Sequence, residues 1–154
     1  MNPSELPYFA YGSNMSSRVM TARIPQARRA GIAELAGYRI SFRLPSQRWG
    51  QRAAGIEADP AGSVWGVLWE IDESWWAVLD GYEGAYVRMT VEVTAHTAAG
   101  TGMRRAATYR VRGDRAATDE GPPAPAYLAA MLAGAREAGL PAAHINRLQH
   151  RRAR

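Results

Sequence analysis

Tyr8-Phe9-Ala10-Tyr11-Gly12-Ser13-Asn14-Met15 is the stretch on which the reading of this chain turns. Five apolar or aromatic residues run from Leu6 to Tyr11, broken only by Pro7. Gly, Ser and Asn follow, and then a segment that can be helical. The pattern is that of a first strand ending in a tight loop at a helix start. Gly12 has no Cβ, so backbone there can come close to a bound group. Ser13 or Asn14 is placed to cap the next helix. The remaining free N–H groups at such a helix start attract a carboxylate or phosphate. Local physics alone favours a purely structural role, a buried first strand with a capped helix after it, over a binding loop. What tips the reading is a second stretch far downstream. Leu79-Asp80-Gly81-Tyr82-Glu83-Gly84 sets a carboxylate, Glu83, between two glycines and beside aromatics.

Outward from these two stretches, composition sets the limits. At 154 residues the chain fits one domain with a sizeable core. The expected boundaries are a domain over residues 1–146 and a flexible, arginine-rich tail over 147–154. The hydrophobic content of 47% is that of a globular chain rather than a disordered one. No apolar run approaches the roughly 20 residues that span a bilayer. The start, Met1-Asn2-Pro3-Ser4-Glu5, lacks the basic-then-apolar order of a signal peptide. There is no cysteine, which excludes disulfides, thiolate metal sites and a cysteine nucleophile. The expected location is the cytoplasm.

The net charge of +5 is carried by 19 basic residues, all of them arginine. Four of these (Arg147, Arg151, Arg152 and Arg154) fall in the last eight positions. Without them 15 basic residues face 14 acidic ones, since 19 − 4 = 15. The body of the chain is therefore close to neutral and no nucleic-acid partner is expected, the tail being the one place where such a contact could form.

Along the chain, Met15 to Ile24 reads as a short helix stopped by Pro25. Residues 28–36 read as a strand turning at Gly37, and Tyr38 to Leu44 alternates as a half-buried strand does. Ala53 to Ala58 is a short strand, Asp59-Pro60-Ala61-Gly62 a turn, and Ser63 to Ile71 a central strand. Gly66 within it marks a close approach of backbone or ligand. A helix then begins at Asp72, its expected cap, with Trp75, Trp76, Leu79 and Tyr82 as a core stripe. Ala85 to His96 and Met103 to Val111 form a hairpin. Ala126 to Gly139 is a helix, and Ala142 to His150 another. Strands early and helices between and after them give an α+β fold, and the hairpin-length turns fit an antiparallel or mixed sheet able to curl into a small barrel.

Glu83 is the chemical candidate. In a partly desolvated pocket its carboxylate becomes a stronger base. The competing reading is a solvated loop residue, or one paired with Arg88. His96, His144 and His150 have no metal-binding spacing and fit packing or surface roles. There is no G-x-S-x-G, P-loop or dinucleotide fingerprint.

Taken together, the motifs resemble the γ-glutamylcyclotransferase superfamily and its AIG2-like bacterial branch. Tyr11-Gly12-Ser13-Asn14-Met15 matches the Y-G-S-N-(L/M) signature. Gly37 to Phe42 resembles the next strand, and Val64-Trp65-Gly66-Val67 the V-W-G-V strand. Leu79 to Gly84, with Tyr86 and Arg88 after it, matches the segment that carries the family's catalytic glutamate. Pro123 to Tyr127 and Gly134 to Pro141 resemble the late helix and its ending. The resemblance implies a small mixed barrel with flanking helices around a pocket. It implies cyclisation of a γ-glutamyl amino acid or amine to 5-oxoproline, releasing the free amine. Glu83 would be the catalytic acid/base, while Tyr11, Gly12, Ser13, Asn14, Tyr109 and Tyr127 would contact substrate. No metal or cofactor is implied, and a homodimer is. A non-catalytic member that binds a small ligand or a partner is the alternative.

Overall fold

Two long strands form the body of the computed structural model, which describes residues 6–151. They are β2 (Arg28–Pro45) and β3 (Arg52–Glu70), paired antiparallel from Arg28↔Glu70 to Pro45↔Arg52. β1 (Tyr8–Ala10) lies antiparallel to the far end of β3, with Phe9 opposite Leu68. β4 (Tyr86–Thr97) and β5 (Gly100–Val111) make the hairpin, and β4 pairs with β2. A parallel contact, Tyr8↔Ala107, joins β1 to β5 and closes the barrel in the order β1-β3-β2-β4-β5. Closure satisfies strand edges that would otherwise be free to pair with other chains. It is fastened by Ala107 N–H donating to the Pro7 carbonyl (2.9 Å) and by the Thr108 hydroxyl donating to the Phe9 carbonyl (2.7 Å).

Among the described residues four α-helices flank the barrel: α1 (Ser17–Arg23), α2 (Trp76–Tyr82), α3 (Pro125–Ala138) and α4 (Ala142–His150). The core includes Phe9, Phe42, Val64, Val67, Leu68 and Val93, all essentially without solvent contact. Each such side chain contributes about 1.5–3 kcal/mol on burial. The close approach expected at Gly66 is there: a Cβ would overlap the Ala10 carbonyl and the Phe9 ring. Strand β1 thus lies against β3 because position 66 is bare.

Several expectations are corrected. Asp59 to Gly62 is not a turn between two strands, because β3 runs through it. Pairing passes from Ala36↔Ser63 to Tyr38↔Ala58, so these four residues bulge opposite Gly37. Gly37 has φ +87, a conformation side chains resist, and the Asp59 carboxylate accepts from Ala61 N–H (3.1 Å). The turn chemistry was real and was spent on a bulge. Likewise β2 does not turn at Gly37 but continues to Pro45. Helix α1 is capped by Ser16, whose hydroxyl accepts from Val19 N–H at 3.3 Å, and not by Ser13 or Asn14. These two sit in a 3-10 turn over Ser13–Met15 instead. Asp72 precedes the next helical segment but makes no side-chain cap bond. Trp76 and Leu79 are core, whereas Tyr82 is exposed. Helix α4 extends to His150, and Arg151 donates to Glu120 (3.0 Å) and to the Ile40 carbonyl (3.1 Å). The boundary expected at residue 147 therefore falls within a helix. The expectations for Met1 to Glu5 and for the end of the tail at 152–154 lie outside the described residues.

Helix α3 lies directly on the 3-10 turn. Gly134 permits this, since a Cβ would overlap the backbone of Met15 and Ser16. Gly134→Ala should therefore destabilise the protein. Alanine gains up to about 1 kcal/mol in helix propensity. Overlap with backbone that cannot rotate away costs about 1–3 kcal/mol. Urea unfolding should show a lower midpoint, and a raised midpoint would mean that the helix can shift at little cost.

Candidate active site

The site is built on Asn14. The 3-10 turn presents its side chain to the barrel mouth, and the Trp69 indole N–H donates to its backbone carbonyl at 2.9 Å. The carboxamide is almost fully buried, and both its amide and its oxygen are engaged. Its nitrogen donates to the Tyr8 hydroxyl (3.0 Å) and to Glu83 Oε1 (2.9 Å). Its oxygen accepts from Arg23 Nη1 at 3.0 Å. Arg23 ends α1, and the same nitrogen stands 3.5 Å from Glu83 Oε1. Strand, turn and two helices thus converge on one carboxylate.

Glu83 follows the last residue of α2, and its backbone N–H closes the helix onto Leu79 and Asp80. Its side chain is 13% exposed, and that of Arg23 only 10%. Burial pushes the Glu83 carboxyl above its ordinary range. The Arg23 guanidinium, the Asn14 hydrogen bond and the Arg48 charge pull it back, and Asp80 pushes it up again. Burial prevails, so the carboxylate is a stronger base than a solvated one. Arg88, the alternative partner, pairs with Asp80 at 3.6 Å and lies over the Trp76 ring.

Glu83 opens on a cavity of about 860 Å³. Tyr11, Gly12, Ser13, Asn14, Tyr109 and Tyr127 all line it as well. The first strand's end and residues about 70 to 115 positions later therefore share one chamber. Gly12 is explained differently than expected. A Cβ there would overlap the Tyr127 hydroxyl, so the bare backbone admits a tyrosine. The Tyr127 phenol is pushed up to about 12, first by burial and then by the Glu83 charge. The Tyr11 hydroxyl donates to the Tyr109 carbonyl (2.7 Å), and the Tyr109 hydroxyl to Asp80 (2.6 Å). Burial raises the Tyr8, Tyr11, Tyr86 and Tyr109 phenols too, so these groups stay neutral near pH 7.

Residues 63–148 match the AIG2-like family. Over 147 residues the chain is 33% identical to a gamma-glutamylcyclotransferase of Bos taurus, covering 92% of this chain and 76% of that protein. The gamma-glutamylcyclotransferase of Homo sapiens is 31% identical over 147 residues, with the same shares covered. A solved structure of a gamma-glutamyl cyclotransferase superposes with a TM-score of 0.84 at 30% identity, over 94% of this chain and 86% of that one. The chain belongs to the AIG2-like, γ-glutamylcyclotransferase family.

The family match opens in β3 and takes in Glu83, Tyr109 and Tyr127. The Tyr11 to Asn14 loop precedes it and is joined to it through the Asn14–Glu83 hydrogen bond. Sequence reading did not single out Arg23, Tyr8 or Arg48 as site residues. Arg23 is the clearest omission. Its one sequence signal is its place at the end of the short helix that follows the Tyr11 to Asn14 loop. Arg48 reaches the chamber from the loop after β2 and lies over the Tyr82 ring at 5.4 Å. Nothing local in the sequence relates it to Glu83.

The raised pKa of Glu83 has a consequence for stability. Its folded value lies above the unfolded one of about 4.3. Ionisation is thus disfavoured by folding, and the wild type loses stability as pH rises through that window. Glu83→Gln removes this cost and keeps an oxygen for Asn14. Its melting temperature at pH 7–8 should equal or exceed that of the wild type, with the advantage vanishing below about pH 4. A variant less stable at pH 7 would show that Arg23 outweighs burial.

Proposed function

We propose that the protein is a γ-glutamyl cyclotransferase, converting a γ-glutamyl amino acid or amine to 5-oxoproline and the free amine. The observation that carries this is the buried, raised-pKa carboxylate of Glu83 facing a chamber in a chain of this family. The relatives named gamma-glutamylcyclotransferase support it.

The reaction suits a site with one base. The α-amino nitrogen of the substrate attacks its own γ-carbonyl carbon, and the bond from that carbon to the leaving nitrogen breaks. Because both groups belong to one molecule, the site has chiefly to hold them in the ring-closing pose. Glu83 takes a proton from the α-ammonium group and returns one to the leaving nitrogen. Raised basicity serves the first step, and the neutral acid so formed serves the second. Asn14 and Arg23 orient the carboxylate through Oε1. The loop from Tyr11 to Asn14 receives the α-carboxylate or the developing oxyanion, and Tyr109 and Tyr127 line the chamber beside it. The cytoplasmic location and the homodimer belong to the same proposal.

Release of 5-oxoproline from γ-glutamyl amino acids and amines tests the reading. Glu83→Gln should lower kcat by about 10²–10⁴-fold. Unchanged turnover would remove Glu83 from the chemistry, and a folded wild type inert on every substrate would favour the non-catalytic binder. A pH profile tests the electrostatics. The acid limb of kcat/KM should follow deprotonation of Glu83, above the ordinary carboxylate range. In Arg23→Met a lowering influence is lost, so that limb should move to higher pH. A limb that stays in place would show that Arg23 does not act through Glu83.

A further inference from the structure

Charge around the chamber is unbalanced in one direction. Among the described residues four arginines line it, Arg23, Arg48, Arg52 and Arg115, against two carboxylates, Glu83 and Asp114. Both carboxylates already have cations: Glu83 has Arg23 at 3.5 Å, and Asp114 has Arg112 at 3.3 Å. Arg48, Arg52 and Arg115 make no ion pair among the described residues. Arg48 rests on the Tyr82 ring, and Arg52 Nη1 donates to the Asp119 carbonyl at 3.0 Å. Neither contact neutralises a charge. The chamber, at about 860 Å³, is also large, near the upper end of the roughly 300–1,000 Å³ usual for small-molecule sites.

Resting on the cyclotransferase reading, we infer that the leaving half of the substrate is acidic, an amino acid or peptide bearing two or more carboxylates, and that Arg52 and Arg115 select it. The glutamyl half carries one α-carboxylate, which the Tyr11 to Asn14 loop receives together with at most one free guanidinium. Two then remain for the leaving half. A neutral amine leaves both unpaired, and a cationic amine is repelled by them. Guanidinium groups suit this work, since their planar fork matches a carboxylate in bidentate fashion. Each carboxylate engaged at a solvent-reached mouth should improve binding about threefold to tenfold. A leaving group that binds away from the reacting carbon acts mainly through KM.

The test compares four amides with the full-length protein: γ-glutamyl-glutamate, γ-glutamyl-alanine, γ-glutamyl-propylamine and γ-glutamyl-putrescine. Formation of 5-oxoproline should rank in that order in kcat/KM, spanning at least about tenfold and carried by KM. In the double variant Arg52→Gln/Arg115→Gln the dicarboxylate should lose about tenfold while the neutral amide changes less than about twofold. Should that variant not fold, raising salt to about 0.5 M on the wild type should compress the ranking by screening the same charges. Equal turnover of neutral or cationic amides, or a ranking that survives both the substitutions and salt, would overturn the inference and leave the cyclotransferase reading standing. No 5-oxoproline from any of the four would overturn both.

Discussion

The carboxamide of Asn14 is the contact on which the rest of the site depends. It is buried and has to be satisfied on both its nitrogen and its oxygen, because each unpaired group in such a place costs about 1–3 kcal/mol. Tyr8 and Glu83 take the two N–H groups, and Arg23 takes the oxygen. One side chain thereby couples β1, the 3-10 turn, the end of α1 and the end of α2. Moving any of them leaves a buried polar group without its partner. A carboxylate placed after a seven-residue helix would otherwise be free to swing into solvent. Here it is held against the chamber, in an environment that strengthens it as a base.

The barrel supplies the rigidity that this arrangement needs. Its shortest strand, β1, is only three residues long, yet it is paired on both sides and buried throughout. Bare positions allow the close contacts around it. Gly66 admits the β1 backbone, Gly12 the Tyr127 hydroxyl, and Gly134 the helix that covers the turn. In each case the neighbour is backbone or a buried phenol, which cannot give way as an exposed side chain can. The loop is therefore clamped from the barrel side and from the helix side at once. That is what a ring closure demands, since its rate depends on geometry more than on added chemical groups.

Local patterns in the chain held where one period dominates. The alternation through Met89, Val91, Val93 and Ala95 gives a strand whose last three of these residues are buried. Gly139 ends α3 in the left-handed conformation, at φ 76. The reading failed where local chemistry serves two outcomes. Asp-Pro-Ala-Gly favours reversal of the chain, but a sheet partner on β2 holds β3 straight and turns the four residues into a bulge. Ser13 and Asn14 are good caps in isolation. Ser16 takes that role because the intervening 3-10 turn delays the helix by one step, which frees Asn14 for Glu83. His144, for which the sequence fits a packing or a surface role, lies buried with no hydrogen-bond partner among the described residues.

By itself the amino-acid order determined most element types and the α+β class, and its motifs carried the family resemblance that points to Glu83, the Tyr11 to Asn14 loop, Tyr109 and Tyr127. These follow from short-range periodicity and from motifs whose spacing is local. Only the tertiary structure decided what those residues do to one another. Arg23 lies 60 positions before Glu83, and Arg48 comes from a different loop, yet their charges act on the same carboxylate. Burial of Glu83, the cause of its raised pKa, is a property of the closed barrel and no single segment carries it. Distance and dielectric set electrostatic strength, and neither exists until the chain has folded.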